Sequence, residues 1–188
     1  MNAPSLRPLR IAAVLLLVLL TAATKPGAAR AQEHAEPDPA SGTPDTLIPV
    51  ADRKPAPDFT LTDLDGQRIT LSKLRGKVVL LDFWATWCGG CKLELPWYVD
   101  FDHRYRSQGL AVVGVSMDDG GPQLVRAFAQ KKGMQYPIVI GNDALGDRFH
   151  LQSMPLTLLI DRQGRIAVFH AGVIQKDLFE QHLRQLLL

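Results

Sequence analysis

Two cysteines, Cys88 and Cys91, are the only ones in the 188 residues, and two glycines separate them. They follow an apolar run, Val78-Val79-Leu80-Leu81, and precede a segment with helical character. A Cys-x-x-Cys at the mouth of a helix suits thiol–disulfide exchange. The first helical turn carries unpaired N–H groups and the positive end of the helix dipole, which favour a thiolate over a thiol. Cys88 is thus the candidate nucleophile, and Cys91, one turn in, the candidate resolving thiol. A purely stabilising bridge is a poor alternative, because closing so short a loop restricts the unfolded chain little. A structural zinc site would need two more ligands, and no His or further Cys lies nearby in sequence, so no metal is expected.

Asp82 sits among Leu80, Leu81 and Phe83 in the predicted central strand, six residues before Cys88. A carboxyl buried there would have a raised pKa, suiting it to take a proton from Cys91. The alternative is an acid reaching a sheet end. Glu94 follows Cys91 by three residues, on adjoining helix surface, and reads equally as a modulator of the thiols or as a solvated helix charge. Trp87 is expected to cover the flank of the disulfide, with Trp84 in the core. At Gly89-Gly90, the N–H that a proline at residue 90 would remove is expected to hydrogen-bond Cys88. The five histidines (34, 103, 150, 170, 182) show no ligand spacing and read as surface or incidental residues.

These side chains need a sheet behind them. Alternating runs at 59–61 and 68–71 flank Asp65-Gly66, a hairpin signal. Strands are predicted at 77–84, 111–116 and 137–140, and helices at about 90–106, 123–132 and 143–150. Leu124, Phe128 and Lys131 mark related faces of the second helix, and Pro96 should kink the first. Runs at 156–160 and 165–170 flank the turn Asp161-Arg162-Gln163-Gly164. A last helix at 175–187 has Phe179, Leu183, Leu186 and Leu187 as its apolar stripe. The pattern gives an α/β domain, a mixed central sheet covered on both faces.

Ahead of it, residues 1–31 have the form of a signal peptide. Arg7 and Arg10 precede an uncharged stretch at 11–24, and Ala29-Arg30-Ala31 offers a cleavage signal. Fourteen residues are short for a membrane span of about 20, although an uncleaved N-terminal anchor is the competing reading. Removing residues 1–31 takes the net charge from +2 to −2, which makes no case for nucleic acid. Residues 32–56, rich in proline and alanine, read as a linker, and residues 57–188 as the domain.

The motif set resembles the TlpA/ResA-like branch of the thioredoxin superfamily. It comprises Asp58-Phe59-Thr60-Leu61, Phe83-Trp84-Ala85-Thr86-Trp87-Cys88, Glu94-Leu95-Pro96, Val113-Gly114-Val115-Ser116 and Met154-Pro155. The resemblance implies a thioredoxin fold with an N-terminal β-hairpin extension and a redox-active Cys88–Cys91 disulfide. It also implies a cis Pro155, with the Met154 backbone presented to an extended substrate segment, and an exported, periplasmic or extracytoplasmic protein. No cofactor is implied. Clients would be proteins with disulfides or thiols, such as apocytochrome c or copper-site cysteines of oxidase assembly. A membrane thiol donor of the DsbD/CcdA type would supply electrons. Asp82 departs from the branch, which often has a non-ionisable residue there, and is what thioredoxins carry. Two other classes share parts of the pattern. Peroxiredoxins have the Asp-Phe-Thr-Leu opening, but the threonine four residues before their cysteine would here be Trp84. A copper-binding module could use Cys88 and Cys91, although no Met or His pair accompanies them.

Overall fold

A computed structural model describes residues 46–188; the leader and most of the linker expected from sequence lie outside the described residues. Five strands form the main sheet in the order β5-β4-β3-β6-β7. They are β3 (Val78–Trp84), β4 (Leu110–Ser116), β5 (Ile138–Ile140), β6 (Leu156–Ile160) and β7 (Ile166–Ala171). β3 is central, parallel to β4 and antiparallel to β6. All seven of its residues are buried, as a strand covered on both faces requires. Val78, Leu80 and Trp84 pack with Leu95, Tyr98, Val125, Phe179 and Leu183. Val79, Leu81 and Phe83 pack on the opposite face with Phe59, Leu145 and Phe149.

Among the described residues, four helices cover these faces: α1 (Gly89–Tyr105), α2 (Gly121–Lys132), α3 (Asp143–Arg148) and α4 (Lys176–Leu187). α1 continues through Pro96 and ends before Gly109, whose φ of 100° lies in the left-handed region. The α2 stripe is shifted one residue from the expected one. Val125 and Ala129 face the core, Phe128 lies against Trp84 with ring centroids 5.4 Å apart, and Leu124 is exposed. Two histidines also depart from expectation. His170 in β7 and His182 in α4 are buried, because each falls on the inward phase of its element.

The segment ahead of β3 closes both sheet edges. β1 (Thr60–Thr62) and β2 (Arg68–Thr70) form the expected antiparallel hairpin, which meets β5 where Leu64 N–H donates to Ile138 O at 2.9 Å. Residues 47–56, read from sequence as the end of the linker, are docked along β7 instead. Ile48 N–H donates to Ala167 O, Ile166 N–H to Lys54 O and Ala56 N–H to Gly164 O, at 2.8 to 3.0 Å. Arg53 anchors the segment on buried Asp161 at 3.2 Å. An edge strand left open is a template for unwanted pairing, and here the chain covers its own. Proline-rich composition hid this docking, since the pairing uses backbone groups, with Leu47, Ile48 and Ala56 as its apolar anchors.

Candidate active site: a disulfide and two buried carboxyl groups

β3 delivers the chain to the sheet end, and Ala85 to Trp87 turn it into α1. Cys88 is the N-cap of that helix, with extended backbone (φ −72°, ψ 115°). It is disulfide-bonded to Cys91, with the two Cα atoms 5.4 Å apart. Cys88 retains 6% exposure and Cys91 1%. The Cys91 N–H donates to Cys88 Sγ at 3.1 Å. An N-cap side chain reaches the second or third helical N–H, and here it takes the third. The expected donor, Gly90, is therefore replaced by Cys91, and a proline at residue 90 would not remove this bond.

Gly90 has a different role. A Cβ at that position would come within 3.1 Å of Pro155 Cδ and 3.0 Å of Val173 Cγ2. The missing side chain lets both press on the first turn of α1. The Met154–Pro155 bond is cis, as the resemblance implied, with Pro155 buried and Met154 half-buried. Trp87 is 66% exposed and so stands out from the surface, while Trp84 is in the core as expected. Val173 and Leu93 are exposed as well. Val173 lies 82 residues from Cys91, so no local signal ties it to the motif.

Two carboxyl side chains are buried in the elements that carry the disulfide, Asp82 in β3 and Glu94 in α1. Asp82 is 1% exposed and Glu94 fully buried, which rules out the solvated reading of Glu94 and the sheet-end reading of Asp82. Asp82 sits mid-strand, opposite Gly114 on one side and Thr157 on the other. Burial pushes the Asp82 carboxyl well above the usual carboxylate range, and the nearby Glu94 charge adds to this. The Thr157 hydroxyl opposes the shift weakly, since it is shared with Tyr98 Oη at 2.8 Å and makes no bond of normal geometry to Asp82. No Lys, Arg or His forms an ion pair with Asp82 among the described residues. Glu94 Oε1 accepts the Ile174 N–H at 2.6 Å, tying α1 to the segment that carries Val173. Burial, then the Asp82 and Glu94 charges, push the Tyr98 hydroxyl far up.

Tyr98 and Thr157 were not singled out in the sequence. Tyr98 could have been, because Cys91, Glu94 and Tyr98 recur at the three- and four-residue steps of one helix face. Ser116 and Asp118 were missed too. Asp118 accepts hydrogen bonds from Thr86 N–H and from the Thr86 and Ser116 hydroxyls. Among the described residues, no group of three or more His, Cys, Asp or Glu side chains is placed to hold a metal. What the arrangement can do is exchange electrons through sulfur, with a carboxyl of raised pKa buried in the strand that leads to it.

Comparison with known proteins agrees with this chemistry. Residues 53–169 match the model of the AhpC/TSA family. The thiol-disulfide oxidoreductase ResA of Geobacillus kaustophilus is 38% identical over 139 residues, 73% of this chain and 79% of that protein. The thioredoxin-like protein YneN of Bacillus subtilis is 35% identical over 138 residues, covering 72% and 81%. Among solved structures, a thiol:disulfide interchange protein of the thioredoxin family from Chlorobium tepidum superposes with a TM-score of 0.66. It is 26% identical and covers 72% of this chain and 97% of that one. The chain belongs to the AhpC/TSA family of thioredoxin-fold proteins, and within it to the thiol-disulfide oxidoreductases of ResA type.

Proposed function

We propose that the protein is an exported reductant of client disulfides, acting through the Cys88–Cys91 pair. The observation that carries this reading is the disulfide itself, closed at a helix N-terminus beside cis Pro155 and exposed apolar side chains. In the reduced protein the Cys88 thiolate attacks one sulfur of a client disulfide. A Cys88–client disulfide forms, and the client's other sulfur leaves as a thiolate. Cys91 then passes its proton to the Asp82 carboxylate and attacks Cys88 Sγ. The client leaves fully reduced, having gained two electrons, and the protein is left with the Cys88–Cys91 bond. Glu94 tunes the step as the second buried carboxyl. Trp87 and Val173 offer apolar contact, and the Met154 backbone ahead of Pro155 accepts an extended client segment as an added strand.

Residues 1–31 act as a signal peptide or retained anchor, and the chain from there to residue 46 as a spacer. An oxidising compartment keeps such a pair from being rereduced, so a membrane thiol donor of the DsbD/CcdA type returns the electrons. Clients of the cytochrome c maturation or oxidase-assembly kind fit a dithiol of this type. The test compares insulin reduction, peroxide turnover and copper titration on the purified protein. Insulin reduction that Cys88→Ser abolishes is the expected result. Peroxide turnover or tight copper binding without insulin reduction would replace the reading with the peroxidase or the copper module.

A further inference from the structure

Asp118, two residues beyond β4, is 6% exposed. Its carboxylate accepts the Thr86 N–H at 2.9 and 3.1 Å, the Thr86 hydroxyl at 2.5 Å and the Ser116 hydroxyl at 2.9 Å. Just before it, Met117 N–H donates to Trp84 O at 2.8 Å, and Cys88 N–H returns to Ala85 O at 3.1 Å. The turn that carries Cys88 is thus stapled to the end of β4 as well as leading into α1. Every donor on Asp118 is neutral, and no Lys, Arg or His forms an ion pair with it among the described residues. A neutral acceptor would serve as a clamp. The carboxylate adds a buried negative charge bonded to Thr86, two residues before Cys88, a sulfur that must itself become an anion.

The charges around that sulfur divide by element. The α1 N-terminus and the Cys91 N–H favour its thiolate. Asp82 from β3 and Glu94 from α1 are buried, and Asp119 beside Asp118 is exposed to solvent. Asp118 is the buried carboxylate on the approach to the helix. Like charges in a partly dehydrated site repel.

We propose that Asp118 is a positioning residue of the exchange reaction, fixing Cys88 through Thr86 and holding back its thiolate so that the pair stays reducing. Raising the energy of the thiolate raises that of the reduced form, which makes release of its two electrons more favourable. The inference rests on Cys88 being the attacking thiol.

Four versions of the reduced protein separate charge from clamp: wild type, Asp118→Asn, Asp118→Ser and Thr86→Val. Asp118→Asn and Asp118→Ser keep an acceptor and lose the charge; Thr86→Val keeps the charge and loses the hydroxyl bond. Alkylation rates across pH give each apparent Cys88 pKa, and glutathione equilibration gives each midpoint potential. The uncharged variants are expected to lower the Cys88 pKa by about one unit, roughly tenfold more thiolate below it. Their midpoints move to less negative values, while Thr86→Val does not lower the pKa. Equal shifts in all three variants, or no shift in the uncharged ones, would overturn the role of the charge. Wild-type alkylation that is faster at Cys91 would instead overturn the nucleophile assignment on which the inference stands.

Discussion

Cys91→Ser is expected to stop catalytic turnover while leaving Cys88 able to capture its client. The wild-type resolving step is intramolecular. Cys91 sits in the first turn of the helix that Cys88 caps, its N–H already on Cys88 Sγ. Well-oriented intramolecular attack corresponds to effective molarities of about 10⁵ M and above. An external thiol at millimolar concentration cannot replace that, so turnover should fall by on the order of 10³-fold or more. Serine is close in size to cysteine and keeps the backbone N–H, so the site survives the change. Expressed in the native cell, the variant accumulates mixed disulfides that mass spectrometry can identify through their Cys88-containing peptides. Client cysteines of haem-attachment or copper-site sequences would support the proposed clients. Adducts on unrelated proteins would point to a general reductant instead.

Asp82→Asn is expected to stabilise the protein while slowing its chemistry. Burial and the Glu94 charge raise the folded-state pKa of Asp82 above its value in the unfolded chain. Between those two values the folded protein holds a proton that the unfolded chain has released. Stability is therefore full below the unfolded pKa of about 3.9, and falls as pH rises towards the folded pKa. Asparagine removes that loss. The gain is expected to grow as pH rises towards the folded pKa and to vanish near pH 3, read from urea unfolding at a series of pH values. Catalysis moves the other way. Without a carboxylate to take the Cys91 proton, resolution should slow by about 100-fold, near the low end of general base effects, with the initial Cys88 attack little changed. Stopped-flow reduction of a client peptide would show the mixed disulfide accumulating. A gain in stability with an unchanged resolution rate would leave Asp82 a residue of the fold alone.

The parts of this site readable in sequence are those written in consecutive residues. Val78-Val79-Leu80-Leu81 reads as a central strand because burial on both faces leaves nothing but apolar side chains. Cys88-Gly89-Gly90-Cys91 reads as a helix-mouth dithiol because the spacing and the following helix are local. The buried place of Glu94 was not readable. Helix spacing put it near Cys91, but only the arrival of Ile174, 80 residues later, makes that surface interior. Thr157 and Asp118 reach the site through β6 pairing and the end of β4, contacts that sequence order does not carry. Residues 47–56 show the same gap from the other side. Their composition is that of a linker, and their backbone pairing with β7 depends on an edge the local sequence cannot reveal.

Alkylation of the reduced wild-type protein with iodoacetamide across pH, with each cysteine followed separately by mass spectrometry, tests the central assignment most directly. Cys88 has the greater exposure, 6% against 1%, and the helix N-terminus to stabilise its thiolate. The account predicts that Cys88 is modified first at neutral pH and that Cys91 reacts slowly until far higher pH. Modification of Cys91 at an equal or greater rate would contradict it.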